Sequence, residues 1–339
     1  MLKAILSNLI LSRLDIARIK RILGDTPVLS IFFKLISQSL IDREYPAHLF
    51  VETTRVCNLH CKSCPRSILS SGYGHMNFDL FKKIIDEAGL FGRRSFCLHM
   101  LGEPLMHPEI EKLVGYIKSS PVRHTILLTT NGYFLDAPKA KALIENRVDK
   151  IMVSIFSLRK DRLNSLTGNT DITRVVDNIS SAVILNKQLG SKTNIYIRFL
   201  LHPENQDELE SVSVLAKRIG AHLEVRATHN YSGLITDNSS KEAAPGKRYP
   251  CYHPWFSPAI TWDGKVVLCC NDWNYSEILG DATKDTVANI WQGSRMKELR
   301  KLHLKGRYDE INLCKACNVW SLYPDMFFKM QKTAIKNGT

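Results

Sequence analysis

Short apolar segments alternate with longer amphipathic segments from residue 47 to residue 227. The apolar segments have the length of strands, and apolar positions between them recur at helical spacing. This alternation predicts an α/β fold with crossover helices between parallel strands, and six such units fit a partial (β/α)6 TIM-like barrel. The predicted strands are 48–54, 95–101, 124–130, 150–155, 194–201 and 221–227, and the predicted helices lie around 77–90, 108–119, 137–146, 171–189 and 206–219.

The last third of the chain has a different pattern. Asp263-Gly264 separates two short apolar runs, and an Asp-Gly pair in that setting predicts a β-hairpin. A basic segment with helical spacing follows around residues 294–303. We therefore expect a small C-terminal domain made of a hairpin and a helix.

The first 46 residues contain two helical patterns separated by Pro27. Packing against the following domain is the preferred interpretation, and peripheral contact of the first helix with a membrane is the alternative. No apolar stretch approaches the ~20 residues that span a bilayer. The start of the chain lacks a clear small-residue cleavage site, so we expect a cytoplasmic protein.

The chain of 339 residues can hold one large domain with extensions. We predict a helical extension over 1–46, a barrel over 47–228, a linker over 229–250, a C-terminal domain over 251–320 and a tail over 321–339. The net charge is +13, but its lysines and arginines are dispersed along the chain. A nucleic-acid partner is therefore not expected, whereas a small-molecule substrate with an anionic group fits this charge.

Three of the nine cysteines follow the first predicted strand closely. Cys57, Cys61 and Cys64 form a C-x3-C-x2-C run, which is short enough to bring three sulfurs to one metal centre. Thiolates suit zinc, copper(I) or iron–sulfur clusters. Three ligands are one fewer than a closed zinc site or a fully protein-ligated cubane contains. The run therefore indicates a centre with an open position for chemistry.

This run, together with Leu101-Gly102-Glu103-Pro104 after the second strand, resembles the radical S-adenosylmethionine (SAM) superfamily. The resemblance implies that the three cysteines hold a [4Fe–4S] cluster whose fourth iron is chelated by SAM. It also implies cleavage of SAM to a 5′-deoxyadenosyl radical that removes hydrogen from the substrate. An external one-electron reductant such as flavodoxin or ferredoxin is then expected. Ser63 departs from the family pattern, which has an aromatic or large apolar residue there against the adenine.

The resemblance also identifies candidate SAM contacts at the strand ends. Gly102 and Glu103 match the motif that holds the methionine amino group. Asn131 belongs to a Thr-Asn-Gly turn that resembles another family motif, although an ordinary Asn-Gly turn is an equal alternative. These three residues would lie at the mouth of the barrel.

Two further strands contribute polar candidates. Ser154 matches a serine that contacts the SAM ribose or carboxylate in the family. Arg198 is a charge inside an apolar strand, so it needs a partner, and either the SAM carboxylate or a structural salt bridge would supply one. His99 and His107 flank the Gly-Glu-Pro motif, and a structural role is the preferred interpretation for both.

A second cysteine set lies in the C-terminal region, and its layout resembles the SPASM/twitch extension of radical SAM enzymes. Its five cysteines, rather than the seven of a full SPASM domain, imply the twitch form with one auxiliary [4Fe–4S] cluster. The family pattern Gly-x4-Cys selects Cys269 as a ligand and leaves Cys270 as the spare. The implied ligands are Cys251, Cys269, Cys314 and Cys317. A structural zinc site is the alternative.

The cysteine spacing in this region resembles that of aminocyclitol dehydrogenases within the superfamily. We therefore expect oxidation of an alcohol carbon in a sugar, cyclitol or related metabolite, with the auxiliary cluster accepting the second electron. The alternative is modification of a peptide or sugar, such as epimerisation, with Cys270 or Cys97 as hydrogen donor. A non-catalytic zinc protein is the alternative of a different class.

Overall fold

The computed structural model describes residues 44–68, 72–168, 170–227, 230–233, 248 and 250–322. Its strands are β1 His48–Val51, β2 Ser95–Cys97, β3 Thr125–Thr130, β4 Lys150–Ile155, β5 Asn194–Leu201, β6 His222–Ala227, β7 Ala259–Ile260, β8 Lys265–Val267 and β9 Ile278–Asp281. Its helices are α1 Phe78–Leu90, α2 Ile110–Ser119, α3 Ala137–Glu145, α4 Lys160–Thr167, α5 Ile172–Gln188, α6 Leu209–Ile219, α7 His253–Phe256, α8 Val287–Gln292, α9 Ser294–Leu304 and α10 Asn312–Lys315. Most of the predicted N-terminal extension, much of the linker and most of the tail lie outside the described residues.

The described strands form one sheet in the order β6-β5-β4-β3-β2-β1-β7-β8-β9. From β1 to β6, each strand pairs in parallel with the next strand along the chain. This is the arrangement of a partial (β/α)6 barrel, so the predicted fold class is confirmed. Helix α4 was not predicted from the sequence, and β2 is shorter than expected because residues 98–104 leave the sheet.

Alternating burial in the strands separates two surfaces. In β5, Ile195, Ile197 and Phe199 are buried in the main hydrophobic core, while the alternate positions are partly exposed. Side chains at neighbouring positions of a strand point to opposite faces. One face of the barrel sheet therefore packs on the helices, and the other lines the inside of the barrel.

Helix α1 shows how the helices cover the sheet. Its side chains Phe81, Ile84, Ile85 and Ala88 are buried at helical spacing, and Asn77 caps its start by accepting a hydrogen bond from the Asp79 N–H at 2.7 Å. Burial of a large apolar side chain contributes about 1.5–3 kcal/mol. The apolar stripe, more than helix propensity, therefore holds α1 in place.

The predicted hairpin is confirmed as β7 and β8, which pair in antiparallel orientation on either side of Gly264. Gly264 has a φ of +92°, a conformation that favours glycine. Strand β7 also pairs in parallel with β1, through Phe50 with Ala259 and Val51 with Ile260. The C-terminal region is therefore continuous with the barrel sheet.

A buried polar network strengthens this junction. The fully buried carboxylate of Glu52 accepts hydrogen bonds from the Tyr275 hydroxyl at 3.2 Å and the Trp262 N–H at 3.4 Å. Burial raises the pKa of Glu52 to about 7, although the charge of Arg55 opposes this shift. The Arg55 Nη2 in turn donates to the Trp273 carbonyl oxygen at 2.5 Å. Two side chains from the barrel thus hold the hairpin region.

Among the described residues, no helix is long and apolar enough to span a bilayer.

The loop before α1 packs closely on the hairpin, and this contact yields a stability prediction. A Cβ atom at Gly74 would overlap the Trp262 ring, whereas one at Gly72 would lie 4.0 Å from the same ring. Gly74→Ala should therefore destabilise the protein by about 1–3 kcal/mol, the usual cost of overpacking. Gly72→Ala should stay within about 0.5 kcal/mol.

Thermal unfolding of the anaerobically purified proteins measures both effects. A lower midpoint for Gly74→Ala alone would support the packing described here. Equal midpoints for the two variants would show that Trp262 does not restrict this loop.

Candidate active site

A cavity of about 1020 Å³, open to solvent, lies at the carboxyl ends of the barrel strands, and Cys57, Cys61 and Cys64 all line it. The cysteine loop leaves β1 and turns back on itself, with the Cys64 N–H donating to the Cys61 carbonyl oxygen at 3.0 Å. Helix α4 supports the loop, because His60 and Lys62 donate backbone hydrogen bonds to its last turn. The helix that was not predicted thus helps to position the three thiols.

The environment of these thiols disfavours their ionisation when nothing is bound. Burial raises the pKa of Cys57 to about 11. Burial also raises the pKa of Cys61 to about 12, and the neighbouring thiols Cys64 and Cys57 raise it further. Metal ligation requires thiolates, so loading a cationic centre here must release protons.

Glu103 connects the ends of two strands at the wall of this cavity. Its carboxylate accepts hydrogen bonds from the Thr130 hydroxyl at 2.5 Å, the Asn131 N–H at 2.7 Å and the Leu105 N–H at 3.1 Å. Burial raises its pKa to about 7, although these hydrogen bonds lower it. A ligand cation next to this carboxylate would favour the charged form.

Gly102 allows the two loops to meet. A Cβ atom there would overlap the carbonyl group of Thr54, in the loop after β1. Next to it, the Glu103 N–H donates to the Val56 carbonyl oxygen at 2.8 Å. The close backbone approach expected of this glycine is therefore present, although it is made to the chain itself.

Asn131 and Ser154 both line the cavity. The Asn131 side chain donates to Asn58 Oδ1 at 2.8 Å and accepts from the Tyr133 N–H at 3.0 Å. The second bond closes an Asn-Gly turn in which Gly132 has a φ of +78°. Such a turn was the alternative interpretation of this motif. Asn131 thus has the turn geometry and also faces the site.

Arg198 lies inside the barrel and does not line the cavity. Its Nε donates to Glu224 at 2.7 Å in an ion pair, and its Nη1 donates to Thr129 Oγ1 at 3.3 Å. Glu224 thus supplies the structural partner that was one of the two expected roles. Contact of Arg198 with SAM stays a prediction.

Three aromatic residues in the cavity were not assigned to it from the sequence. His99, Phe156 and Tyr231 all line it. His99 was assigned a structural role, but its Nδ1 has no hydrogen-bond partner among the described residues. Burial, followed by the charge of Arg198, lowers the pKa of His99 to about 3, so the ring is neutral at physiological pH.

His107 does have the expected structural role. Its Nε2 lies 3.0 Å from the Met76 carbonyl oxygen, and its Nδ1 accepts from the Glu109 N–H at 3.0 Å. The two ring nitrogens thus hold the start of α2 against Met76, which lies just before α1. The residue is buried and does not line the cavity.

A second, smaller cavity of about 350 Å³ lies in the C-terminal region. Hairpin strand β8 leads to one of its cysteines, and α10 and the turn after it carry two more, with the Cys317 N–H donating to the Cys314 carbonyl oxygen at 3.1 Å. The cysteines that line it are Cys251, Cys269, Cys314 and Cys317.

Cys270 does not line this cavity. Burial raises the pKa of Cys270, and the next-largest cause of the increase is the Cys97 thiol. Cys97 does not line the first cavity either. Cys269 and Cys270 lie in the bend and turn that follow β8, and of the two only Cys269 lines the second cavity.

Polar groups surround the second cysteine set. His303 Nε2 lies 3.5 Å from the Cys314 sulfur, and its Nδ1 accepts from the Cys251 N–H at 3.4 Å. Arg248 donates to the Cys314 carbonyl oxygen at 2.8 Å. Hydrogen bonds and charges near the sulfurs are among the features that set the potential of an iron–sulfur cluster.

Both cysteine sets fit clusters in donor type and arrangement. Within the part of the chain that the structure describes, no three histidine, cysteine, aspartate or glutamate side chains have the geometry to hold a single metal ion. Each cysteine set instead surrounds a cavity, and thiolates are the usual ligands of iron–sulfur clusters. One set offers three thiols and the other four.

Comparisons with known proteins agree with this arrangement. The SAM-dependent 2-deoxy-scyllo-inosamine dehydrogenase of Niallia circulans is 25% identical over 272 residues, covering 79% of this chain and 91% of the relative. A tungsten-containing aldehyde ferredoxin oxidoreductase cofactor-modifying protein of Pyrococcus furiosus is 23% identical, with coverages of 80% and 88%. The crystal structure of BtrN in complex with AdoMet and 2-DOIA shares the fold, with a TM-score of 0.57, 20% identity and coverages of 80% and 92%.

Two family models match the two halves of the site. Residues 51–215 match the Radical SAM superfamily, and residues 251–318 match SPASM, an iron–sulfur cluster-binding domain. The first domain binds a [4Fe–4S] cluster and SAM, and the second binds auxiliary iron–sulfur clusters, as predicted. The chain therefore belongs to the radical SAM superfamily and carries a C-terminal SPASM-type cluster-binding domain.

Proposed function

We propose that this radical SAM enzyme oxidises an alcohol carbon of a sugar, cyclitol or related small metabolite to a ketone. The observation that carries the proposal is the complete set of four cysteines around the second cavity. A cluster held by four protein thiolates has no open coordination position, so it suits electron transfer rather than substrate binding. The similarity to a SAM-dependent dehydrogenase over most of both chains supports the same reaction type.

Oxidation of an alcohol carbon removes one hydrogen atom, one proton and one further electron. When bound, SAM and the cluster held by the three cysteines of the first cavity would supply the radical that takes the hydrogen atom, and a cluster held by the four cysteines of the second cavity would take up the electron. The hydroxyl proton passes to a base or to water in the open cavity. The substrate thus loses two hydrogens, and its carbinol becomes a ketone.

The residues of the first cavity hold and orient the cofactor in this proposal. Cys57, Cys61 and Cys64 ligate the cluster, and Glu103 receives the amino group of SAM. Its three hydrogen bonds fix the direction of the carboxylate before the ligand arrives. Such preorganisation places the reacting groups without a further ordering cost.

Two partners follow from this chemistry. The positive net charge and Arg66 at the cavity wall favour a substrate with an anionic group. An external one-electron donor such as flavodoxin or ferredoxin would supply the electron that starts each turnover. Membrane contact through the N-terminal segment stays a prediction, since that segment lies outside the described residues.

Epimerisation requires a thiol that can return a hydrogen atom to the substrate radical. The two candidates, Cys97 and Cys270, do not line the described SAM cavity. Dehydrogenation needs no such donor and is therefore the better supported reaction.

Iron analysis tests the two centres. Anaerobically purified protein should contain about eight iron atoms per chain if both clusters are [4Fe–4S], and the triple variant Cys57→Ala, Cys61→Ala, Cys64→Ala should keep about four. Cys269→Ala should lose the C-terminal iron, whereas its neighbour Cys270→Ala should keep the full content. Zinc in place of iron after anaerobic reconstitution would refute both cluster assignments.

SAM affinity tests the roles of Glu103 and Arg198. Glu103→Ala should weaken SAM binding about tenfold or more, because a charge-assisted hydrogen bond contributes about 1.5–3 kcal/mol. Arg198→Ala and Glu224→Ala form a matched pair for calorimetric titration. If both changes alter SAM affinity equally, Arg198 acts through its ion pair with Glu224. If only Arg198→Ala loses SAM affinity, Arg198 binds the SAM carboxylate. Unchanged affinity in Glu103→Ala would refute its proposed role.

The reaction type can be read from product mass in deuterated water. Sugars and cyclitols deuterated at carbinol carbons are first screened for transfer of deuterium to 5′-deoxyadenosine. The active substrate, now with ordinary hydrogen at carbon, should give a product lighter by the two hydrogens removed. An isomer that contains one solvent deuterium, and that is no longer formed by Cys97→Ala or Cys270→Ala, would establish epimerisation instead.

A further inference from the structure

A short turn, Tyr231–Gly233, lies between the two cysteine-lined cavities. Tyr231 lines the first cavity together with Cys61 and Cys64. Ser232, the next residue, lines the second cavity together with Cys314 and Cys317. One peptide unit therefore connects the walls of two centres that lie in different domains.

The C-terminal side holds this turn by hydrogen bonds. Asn230 and Asn318 form a reciprocal pair: the Asn230 N–H donates to Asn318 Oδ1 at 3.1 Å, and the Asn318 N–H donates to Asn230 Oδ1 at 3.3 Å. The side-chain amide of Asn230 also donates to the Ala316 carbonyl oxygen at 2.7 Å. Residue 316 lies between two of the cysteines, so the turn is fixed to the segment that carries them.

Ser232 and Gly233 add two further contacts to the same region. The Ser232 hydroxyl donates to the Asn271 carbonyl oxygen at 3.2 Å. A Cβ atom at Gly233 would lie 2.5 Å from the Ala316 Cβ. The turn therefore packs on Ala316 without room for a side chain at position 233.

The backbone of the turn has a conformation that depends on these contacts. Tyr231, Ser232 and Gly233 have φ values of 47°, 58° and 88°. Residues other than glycine adopt this left-handed region rarely, and they keep it when surrounding structure imposes it. Here the imposing contacts come from residues 314–318 and 271, next to the C-terminal cysteines.

The Tyr231 ring is the part of the turn that reaches the first centre. It lies 5.0 Å from the Trp273 ring, measured between centroids. Ser63, in the same cavity, offers no aromatic surface to a ligand, whereas Tyr231 does.

We propose that Tyr231 forms part of the wall against which SAM binds, and that the C-terminal cysteine centre sets its position through Asn230 and Asn318. Tyr231 would then be a SAM-binding residue, and the two asparagines would be positioning residues. An intact C-terminal centre thereby becomes a condition for tight SAM binding. The inference rests on the SAM and cluster assignments and does not depend on the reaction type.

A double-mutant cycle on the full chain, loaded with both clusters, tests the proposal. The variants are Tyr231→Ala, Asn318→Ala and their combination, and the measurements are SAM affinity by calorimetric titration and iron content. Asn186→Ala is the matched control, because its amide donates to the Thr193 carbonyl oxygen at 2.9 Å and it lines neither cavity.

We expect each single change to weaken SAM binding about tenfold, from the loss of an aromatic contact, and the double variant to be no weaker than either. Iron content and the control should be unchanged, and Tyr231→Phe should bind SAM normally. A normal affinity in Tyr231→Ala or Asn318→Ala would overturn the proposal. A double variant that binds SAM about a hundredfold more weakly, the product of two independent tenfold effects, would also overturn it.

A second variant covers the case in which Asn318→Ala loses iron. Asn230→Asp retains the oxygen that accepts from the Asn318 N–H but cannot donate to the Ala316 carbonyl oxygen. With iron retained, its SAM affinity should fall in the same direction as that of Tyr231→Ala. Unchanged affinity in Asn230→Asp would contradict control by the turn.

Discussion

The close backbone contact between Gly102 and Thr54 is the constraint on which the first centre depends. It brings the loop after β2 against the loop after β1, where the Glu103 N–H then bonds to Val56. The loop that carries the first cysteine and the carboxylate proposed to receive SAM are thus fixed to each other by main-chain atoms. Three hydrogen bonds to the Glu103 side chain then set the direction of its carboxylate.

The barrel could be predicted from the sequence because its information is local. Apolar runs and helical spacing identified every barrel strand, and Asp263-Gly264 identified the hairpin. The C-x3-C-x2-C run could be recognised because its spacing is also local, and its three cysteines line one cavity. The early end of β2 at Cys97 was not predicted, since apolar residues continue to Leu101, although Met100 and Leu101 line the cavity.

Features made by contacts between distant residues could not be predicted in the same way. The pairing of Arg198 with Glu224 requires the register of β5 against β6. The place of Tyr231 requires the position of the C-terminal cysteines, and no periodicity in the sequence reports it. His99 was assigned a structural role because histidines in such settings usually find partners, and only the fold shows that its Nδ1 has no hydrogen-bond partner within the described part of the chain.

Strand β1 has a further consequence for access to the barrel. Its two edges are both occupied, one by β2 and the other by β7. The hydrogen-bonding groups that would be needed to join β1 to β6 are therefore already used, and the barrel cannot close into a ring. A lateral seam between the first and sixth strands is built into the topology. The described sheet therefore ends at β6 on one side and at β9 on the other, with the hairpin strands next to β1 in place of a sixth barrel strand.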